Sequence, residues 1–163
     1  MKILGIDPGT ALLGWGLIDF DIKGERPLKY GCIETGSSVP MPQRLAKIYR
    51  ELSDIIERDQ PDEVAIEELF YFKNAKTVIA VAQARGVAII CAENMGLPVY
   101  EYTPLQVKQA ITGYGRADKK QMQEMIRITC KLDHCPKPDD AADALAVAIC
   151  HAQSNKLASN GMR

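Results

Sequence analysis

The chain opens with MKILGIDPGTALLGWGLIDF, residues 1–20, and this stretch decides the fold. Its first apolar run, residues 3–7, ends in an acid and meets a Pro-Gly pair, the pattern of a short buried strand closed by a turn. A second apolar run covers residues 14–20, and a third covers residues 28–35 after another group of turn residues. Because the intervals between the runs are short, the three predicted strands pair as antiparallel hairpins.

Helices and strands alternate along the rest of the chain. Apolar residues at helical spacing predict an amphipathic helix over residues 42–58. Three hairpin strands followed by alternating elements predict an α/β fold, a five-stranded mixed sheet with helices packed on both faces. The other predicted elements are strands at 64–69 and 97–102, helices at 74–94, 118–132 and 139–153, and a short helical turn at 104–111.

The chain length and the net charge limit the number of domains and the kinds of partner. A chain of 163 residues fits one domain, which the predicted elements place at residues 1–153. The polar tail at 154–163 is predicted to be disordered. The 20 basic and 21 acidic residues give a net charge of −1, so the chain is no bulk polycation. If its partner is nucleic acid, the positive charge must be concentrated on one face.

The cysteines indicate the compartment. Five cysteines, an odd number at irregular spacing, favour reduced thiols in a cytoplasmic protein over a disulfide framework. The N-terminal apolar run is too short for a signal peptide, and no run approaches the roughly 18 residues that span a membrane. One group of cysteines and histidines fits no common zinc pattern, so buried free thiols and surface imidazoles are predicted for Cys130, His134, Cys135, Cys150 and His151.

The helix predicted at 74–94, with Asn74 as its cap, is apolar almost all round and rich in alanine. A helix with that composition is buried on more than one side. It is either a core helix covered by its own chain, or a helix that packs on the sheet with one side and on a second subunit with the other.

Acids stand at the ends of two predicted strands. Asp7 ends the first strand, and active sites concentrate at the carboxyl ends of strands in α/β sheets. Before Pro-Gly, however, an Asp is most often a turn former. Glu67 and Glu68 end the strand at 64–69, and neighbours in a strand point to opposite faces. At most one of the two therefore joins a site with Asp7, and periodicity does not choose between them.

A third group of acids begins the last helix. Asp140 and Asp143 are three residues apart and share one helix face. Capping and the helix dipole explain Asp139 and can explain Asp140, but they do not explain Asp143 among alanines. Carboxylates held close together repel one another and attract a divalent cation such as Mg²⁺ or Mn²⁺. Two such ions about 4 Å apart can activate a water and stabilise the leaving oxygen in phosphodiester cleavage.

Four segments together resemble the RuvC family of Holliday-junction resolvases over nearly the whole chain. They are GIDPGT at 5–10 with GWG at 14–16, AIE at 65–67, QARG at 83–86, and DAADALA at 140–146. Each segment alone is weak, but their order and spacing together are specific.

The resemblance implies a ribonuclease H-like fold and an endonuclease of recombination and repair. It assigns the catalytic, metal-binding acids to Asp7, Glu67, Asp140 and Asp143, and so favours Glu67 over Glu68. It further implies Mg²⁺, for which Mn²⁺ can substitute, with two ions per active site. A homodimer would nick two strands of like polarity in a four-way DNA junction, alongside a branch-migration motor of the RuvA and RuvB type. The preferred cleavage sequence is the property least transferable from the family.

The segment FYFK, residues 70–73, follows the strand that ends in Glu67. Aromatic side chains beside a nuclease site can stack on unpaired bases, although a Phe more often covers the core. The family has a functional aromatic residue at the position of Phe70, which favours stacking there. The roles of Tyr71 and Phe72 stay open.

A basic turn at 113–120 leads into the helix at 118–132. Cations in the first turn of a helix oppose its dipole, and a bound phosphate reverses that penalty. The alternative is a solvated basic loop. Lys119 and Lys108 match family positions near the scissile phosphate. The remaining candidate DNA contacts are Lys120 and Arg116 in the turn, and Arg85, Lys73 and Lys76, which could extend the basic face.

Two other functions compete with the nuclease. Residues 7–10, DPGT, also look like the phosphate loop of actin-like ATPases and sugar kinases, but the chain has half their length and lacks a second Asp-Gly loop. A non-enzymatic junction binder on the same fold would not need all four acids. Nucleases that cut RNA hybrids or integrate DNA would share the acids but not necessarily the dimer.

Overall fold

A computed structural model describes residues 1–21, 23–69 and 75–160, with the backbone alone at 75–76 and 157–160. The strands are β1 (Lys2–Asp7), β2 (Leu12–Asp21), β3 (Gly24–Glu34), β4 (Glu63–Glu67) and β5 (Val99–Tyr102). The helices are α1 (Met41–Asp59), α2 (Ala75–Asn94), α3 (Pro104–Thr112), α4 (Lys119–Thr129) and α5 (Asp139–Asn160).

The five strands form one mixed sheet in the order β3-β2-β1-β4-β5. The first three strands pair antiparallel, as the short turns predicted. β4 then runs parallel to β1, and β5 runs parallel to β4. The prediction of a five-stranded mixed sheet is confirmed.

Each face of the sheet has its own core. In β1, Leu4 and Ile6 belong to a core completed by residues of α1 and α2. Ile3, which points the other way, belongs to a core completed by residues of α3, α4 and α5. This alternation follows from the pleat of a strand. Helices therefore cover both faces, as predicted.

Glycines allow α5 to lie very close to the sheet. A Cβ at Gly5 would overlap the carbonyl oxygen of Ala144, and a Cβ at Gly14 would overlap the backbone of Asp140. At Gly16 a Cβ would lie 2.8 Å from the side chain of Leu145. Three glycines on adjacent strands thus form a bare strip on which α5 rests, and its first turn is held against β2.

The structure corrects several predicted boundaries. α5 runs to Asn160, so residues 154–160, predicted as a disordered tail, are helical. β4 ends at Glu67 rather than at residue 69, and α4 ends at Thr129 rather than at 132. The predicted cap Asn74 lies outside the described residues. Within the described part of the chain, no helix has the length and apolar character to cross a membrane.

α2 has one face on the core and one face exposed. Ala84 and Ala88 are fully buried, whereas Ile79 is 61% exposed and Ile90 is 50% exposed. The alternative of a helix covered all round by its own chain is therefore wrong. The exposed apolar side needs another explanation.

Candidate active site

Asp7 and Glu67 end neighbouring parallel strands at the same edge of the sheet. The register pairs Ile6 with Ile66, so Asp7 and Glu67 are the next residues along each strand. Ala65, two residues before Glu67, lies in the core on the α5 side. Because side chains two apart in a strand share a face, Glu67 points to the α5 side as well.

The same alternation separates Glu67 from Glu68. Asp7 shares its face with Gly5, which touches α5. Glu68 is the next residue after β4, so continued alternation directs its side chain to the other side. Its backbone amide donates to the carbonyl oxygen of Tyr102 at 2.8 Å. The pleat therefore gives a physical reason for choosing Glu67, which the sequence pattern alone did not give.

The first turn of α5 brings Asp140 and Asp143 to this edge. Gly14 is the register partner of Asp7 in the hairpin, and the backbone of Asp140 lies directly over Gly14. Asp143 follows one turn later and lines the same cavity as Glu67. Two strand ends and one helix start thus bring the four predicted acids together.

Charge interactions link the four carboxylates into one cluster. Burial raises the pKa of Asp7 well above its ordinary value, and the charges of Glu67, Asp143 and Asp140 raise it further. Burial, with the charge of Asp143, raises the pKa of Glu67 to about 7. The pKa of Asp143 is also raised, mainly by burial, with Lys119 opposing that effect. The site therefore repels added negative charge and favours cations.

Two lysines border the acids. A cavity of about 230 Å³ is lined by Glu67 and Asp143 together with Lys108 and Lys119. Both lysines lower the pKa of Asp143 through their charge. The cavity thus places cationic side chains beside acidic ones, an arrangement suited to a phosphate with bound cations.

Asp139 differs from the other acids of α5. Its carboxylate lies 2.9 Å from the ammonium of Lys119 and 3.7 Å from that of Lys137. The hydrogen bond from Lys119 is the main reason that the pKa of Asp139 is lowered. Asp139 is therefore a partner of Lys119 rather than a member of the acid cluster. The sequence analysis gave it only a role at the helix start.

The other predicted DNA contacts differ in exposure and in whether their charge is paired. Arg116 and Lys120 are exposed on the turn and on the first turn of α4, as a basic surface requires. The guanidinium of Arg85 is paired with Glu101 and is only 18% exposed. Phe70, Tyr71, Phe72 and Lys73 lie outside the described residues, and so does the side chain of Lys76.

A buried polar network was missed by the sequence analysis. His151, predicted at the surface, is fully buried, with Nε2 2.6 Å from the Glu63 carboxylate and Nδ1 2.7 Å from the Tyr102 hydroxyl. Asn155 donates to the same carboxylate at 3.1 Å. The network ties α5 to β4 and β5. The one available signal was the alternation of β4, which puts Glu63 on the face of Glu67.

His134 is exposed as predicted, and all five cysteines are free.

The acid cluster fits a divalent cation in its chemistry. Carboxylates are the ligands that Mg²⁺ and Mn²⁺ prefer, and four of them share this edge of the sheet. Across the residues described, no three His, Cys, Asp or Glu side chains are already arranged to hold a metal ion. Binding would therefore require the carboxylates to turn toward a common point.

Comparison with known proteins identifies close relatives of this chain. The family model described as crossover junction endodeoxyribonuclease RuvC matches residues 3–151. The crossover junction endodeoxyribonuclease RuvC of Desulfitobacterium hafniense is 57% identical over 159 residues, covering 96% of this chain and 95% of the relative. That of Desulforamulus reducens is 56% identical over 153 residues, covering 94% of each chain.

Solved structures agree with the sequence relatives. The Thermus thermophilus RuvC structure superposes with a TM-score of 0.89 at 35% identity, covering 97% of both chains. T. thermophilus RuvC in complex with Holliday junction substrate gives a TM-score of 0.91 at 34% identity, covering 97% of this chain and 96% of that one. With its ribonuclease H-like sheet and its acids at the strand ends, the chain belongs to the RuvC family of crossover junction endodeoxyribonucleases.

Proposed function

We propose that this protein is a metal-dependent endodeoxyribonuclease that resolves Holliday junctions in recombination and repair. It cuts two strands of like polarity by paired, symmetric nicks. The observation that carries the proposal is the cluster formed by Asp7, Glu67, Asp140 and Asp143, in which burial and mutual charge raise the pKa of Asp7. The likeness to T. thermophilus RuvC bound to Holliday junction substrate, at 34% identity, supports the substrate class.

The four acids would hold Mg²⁺, two ions per site, and Mn²⁺ would substitute. When bound, the ions supply an activated water and neutralise charge at the leaving oxygen. The carboxylates contribute the binding charge, and their common edge of the sheet sets where the phosphodiester must lie. Asp7 and Glu67 are both partly buried, so charge interactions at that edge are screened less by water than they would be on an open surface.

Lysines beside the acids would hold the DNA. Lys108 and Lys119 line the cavity with Glu67 and Asp143, so their ammonium groups can contact the phosphate that is to be cut. Lys120 and Arg116, both exposed, would contact the backbone farther along the strand. Phe70 would stack on an unpaired base and Lys73 would add a phosphate contact, as the sequence alone predicts.

A homodimer would supply the second nick. The exposed face of α2 presents Ile79, Ala82, Gly86 and Ile90 at helical spacing. Among the described residues, no atom lies within 4 Å of a Cβ placed at Gly86, so these residues do not require a glycine there. A second copy packing helix against helix would explain both the apolar stripe and the small residue. The dimer would act with a branch-migration motor of the RuvA and RuvB type in the cytoplasm, where free thiols persist.

The test compares a mobile four-way junction with a linear duplex of the same sequence, both with Mg²⁺. We expect paired symmetric nicks in the junction alone. Asp7→Asn and Glu67→Gln should bind the junction but not cut it. Glu68→Gln is the matched control, because it removes a neighbouring acid on the opposite face, and it should cut normally.

Other outcomes point to the rival functions. Junction binding without cleavage, in either Mg²⁺ or Mn²⁺, would identify a non-enzymatic junction binder. Absence of junction binding would direct the test to RNA–DNA hybrids and to ATP.

A further inference from the structure

The side chain of Arg85 joins the carboxyl ends of two strands to α2. Its Nε donates to the backbone carbonyl oxygen of Glu67 at 3.3 Å. Its Nη2 pairs with the carboxylate of Glu101 on β5. One planar guanidinium thus holds the end of β4 from one side and the end of β5 from the other, a use for which its fixed fork of donors is suited.

These contacts do not suit a DNA-binding arginine. The charge of Arg85 is already paired, and the side chain is only 18% exposed, whereas that of Glu101 is 49% exposed. A phosphate would have to displace Glu101 before it could contact this guanidinium. The pairing of Arg85 with Glu101 could not be read from the sequence, from which Arg85 was expected to extend a basic face.

The end of β4 needs such a support. The register between β4 and β1 runs from Glu63 to Ile66 and stops one residue before Glu67. On the other side, β5 holds the amide of Glu68 through the carbonyl oxygen of Tyr102. The Glu67 carbonyl therefore lies where the ladder to β1 has ended, and it is there that Arg85 donates its hydrogen bond.

We propose that Arg85 is a positioning residue for Glu67, which it serves by fixing the backbone at the end of β4. With that backbone fixed, the Glu67 carboxylate is directed toward Asp143 and Asp7. The role of Glu67 as a catalytic acid rests on the proposed function. Arg85 directly precedes Gly86, which lies on the exposed face of α2, so Arg85 also links that helix to the end of β4.

The test uses Arg85→Met, which keeps the length of the side chain but removes its donors, and Glu101→Gln, which removes only the charge partner. Arg26→Met is the matched control, since Arg26 pairs with Asp19 at 3.0 Å near the amino-terminal end of β1. We expect Arg85→Met to slow single-turnover cleavage of bound junction by about 100-fold, the usual cost of a misplacement near 1 Å. Glu101→Gln should slow it by a smaller factor, and the double variant should be no slower than Arg85→Met.

Two readouts do not depend on cleavage. Junction affinity and its salt dependence, measured without metal, should stay within about threefold of wild type, because no phosphate contact is lost. Hydrogen exchange at the amide of Glu68 should become faster in Arg85→Met, because that amide closes the end of β4. Sedimentation velocity should show that each variant keeps the oligomeric state of the wild type.

The opposite pattern overturns the proposal. A DNA contact would lose more than tenfold in affinity with a shallower salt dependence, and Glu101→Gln would then bind more tightly because the arginine is freed. Unchanged exchange at Glu68 would also reject it. If Arg85→Met fails to fold, Glu101→Gln still distinguishes the two roles of Arg85. Slower cleavage at unchanged affinity supports positioning, and tighter junction binding supports a DNA contact. Failure of the wild type to cut junctions would defeat the proposed function alone, since hydrogen exchange still tests the position of β4.

Discussion

The carboxylate of Asp139 lies 2.9 Å from the ammonium of Lys119, directly beside the acid cluster. The pair joins the start of α5 to the start of α4. A phosphate that contacted Lys119 would share the ammonium with Asp139 and would be repelled by the charge of that carboxylate. If Lys119 binds DNA as proposed, the strength of that contact therefore depends partly on an acid that is not among the four of the cluster.

Replacement of Asp139 by Asn should tighten junction binding. The exposed ion pair is worth about 0.2–1 kcal/mol, which corresponds to an affinity gain of about 1.4- to fivefold at low salt. The measurement is a binding titration without metal. Glu124→Gln is the control, because it breaks the exposed pair with Arg127 elsewhere on α4. Weaker binding by Asp139→Asn would mean that Asp139 orients Lys119 rather than competing for it.

Stability of the metal-free protein should fall as the pH rises. The pKa of Glu67 is raised from its ordinary 4.5 to about 7, so the folded state binds more protons than the unfolded state between these values. The contribution of Glu67 to the free energy of unfolding is therefore fully present below pH 4.5. It decreases as the pH rises and is completely lost above about pH 7. The loss is on the order of 3 kcal/mol, from about 1.4 kcal/mol per pKa unit.

Urea unfolding at pH 5 and pH 8 in a chelating buffer measures that loss. Glu67→Gln should reduce the pH dependence, with the raised pKa values of Asp7 and Asp143 accounting for the remainder, and Glu68→Gln should leave it unchanged. Added Mg²⁺ should stabilise the protein more at pH 8 than at pH 5, because a cation relieves the same repulsion. Equal stabilisation at both pH values would argue against metal binding by these acids.

Gly86→Phe should separate dimer formation from folding. Because no atom of the described part of the chain lies within 4 Å of a Cβ at this position, the variant should fold with a stability within about 1 kcal/mol of wild type. A partner helix packed against Gly86 would be pushed away, so sedimentation should show monomers. Ala46→Phe, at an exposed position of α1, is the control for a surface aromatic. A dimeric Gly86→Phe would exclude this face as the interface.

His151→Gln should destabilise the protein by about 2–3 kcal/mol, because it breaks a buried hydrogen bond to a carboxylate and leaves Glu63 without its closest donor. His134→Gln, at an exposed position, should change the stability little. Denaturant unfolding gives both values. Equal stability of the two variants would show that the network does not hold α5 in place.

The order of elements could be predicted from the sequence because strands and helices there carry strong local patterns. The choice between Glu67 and Glu68 could not, since it depends on which face of β4 meets α5, and only the packed sheet defines that face. His151 was misplaced for a related reason. Its partner Glu63 is 88 positions away in the chain, so no local sequence pattern predicts the pair. The paired state of Arg85 is hidden from the sequence in the same way.

The dependence of the site on α5 has a consequence for biosynthesis. Asp7 and Glu67 emerge from the ribosome early, but Asp140 and Asp143 come only with α5, which must then settle on the glycine strip of β1 and β2. Domains begin to fold from the amino terminus during synthesis. A nascent chain that has emerged only as far as α4 already contains all five strands, yet it holds two of the four acids. The complete acid cluster therefore forms only after α5 has emerged and packed on the sheet, and cutting activity is expected to arise late in synthesis.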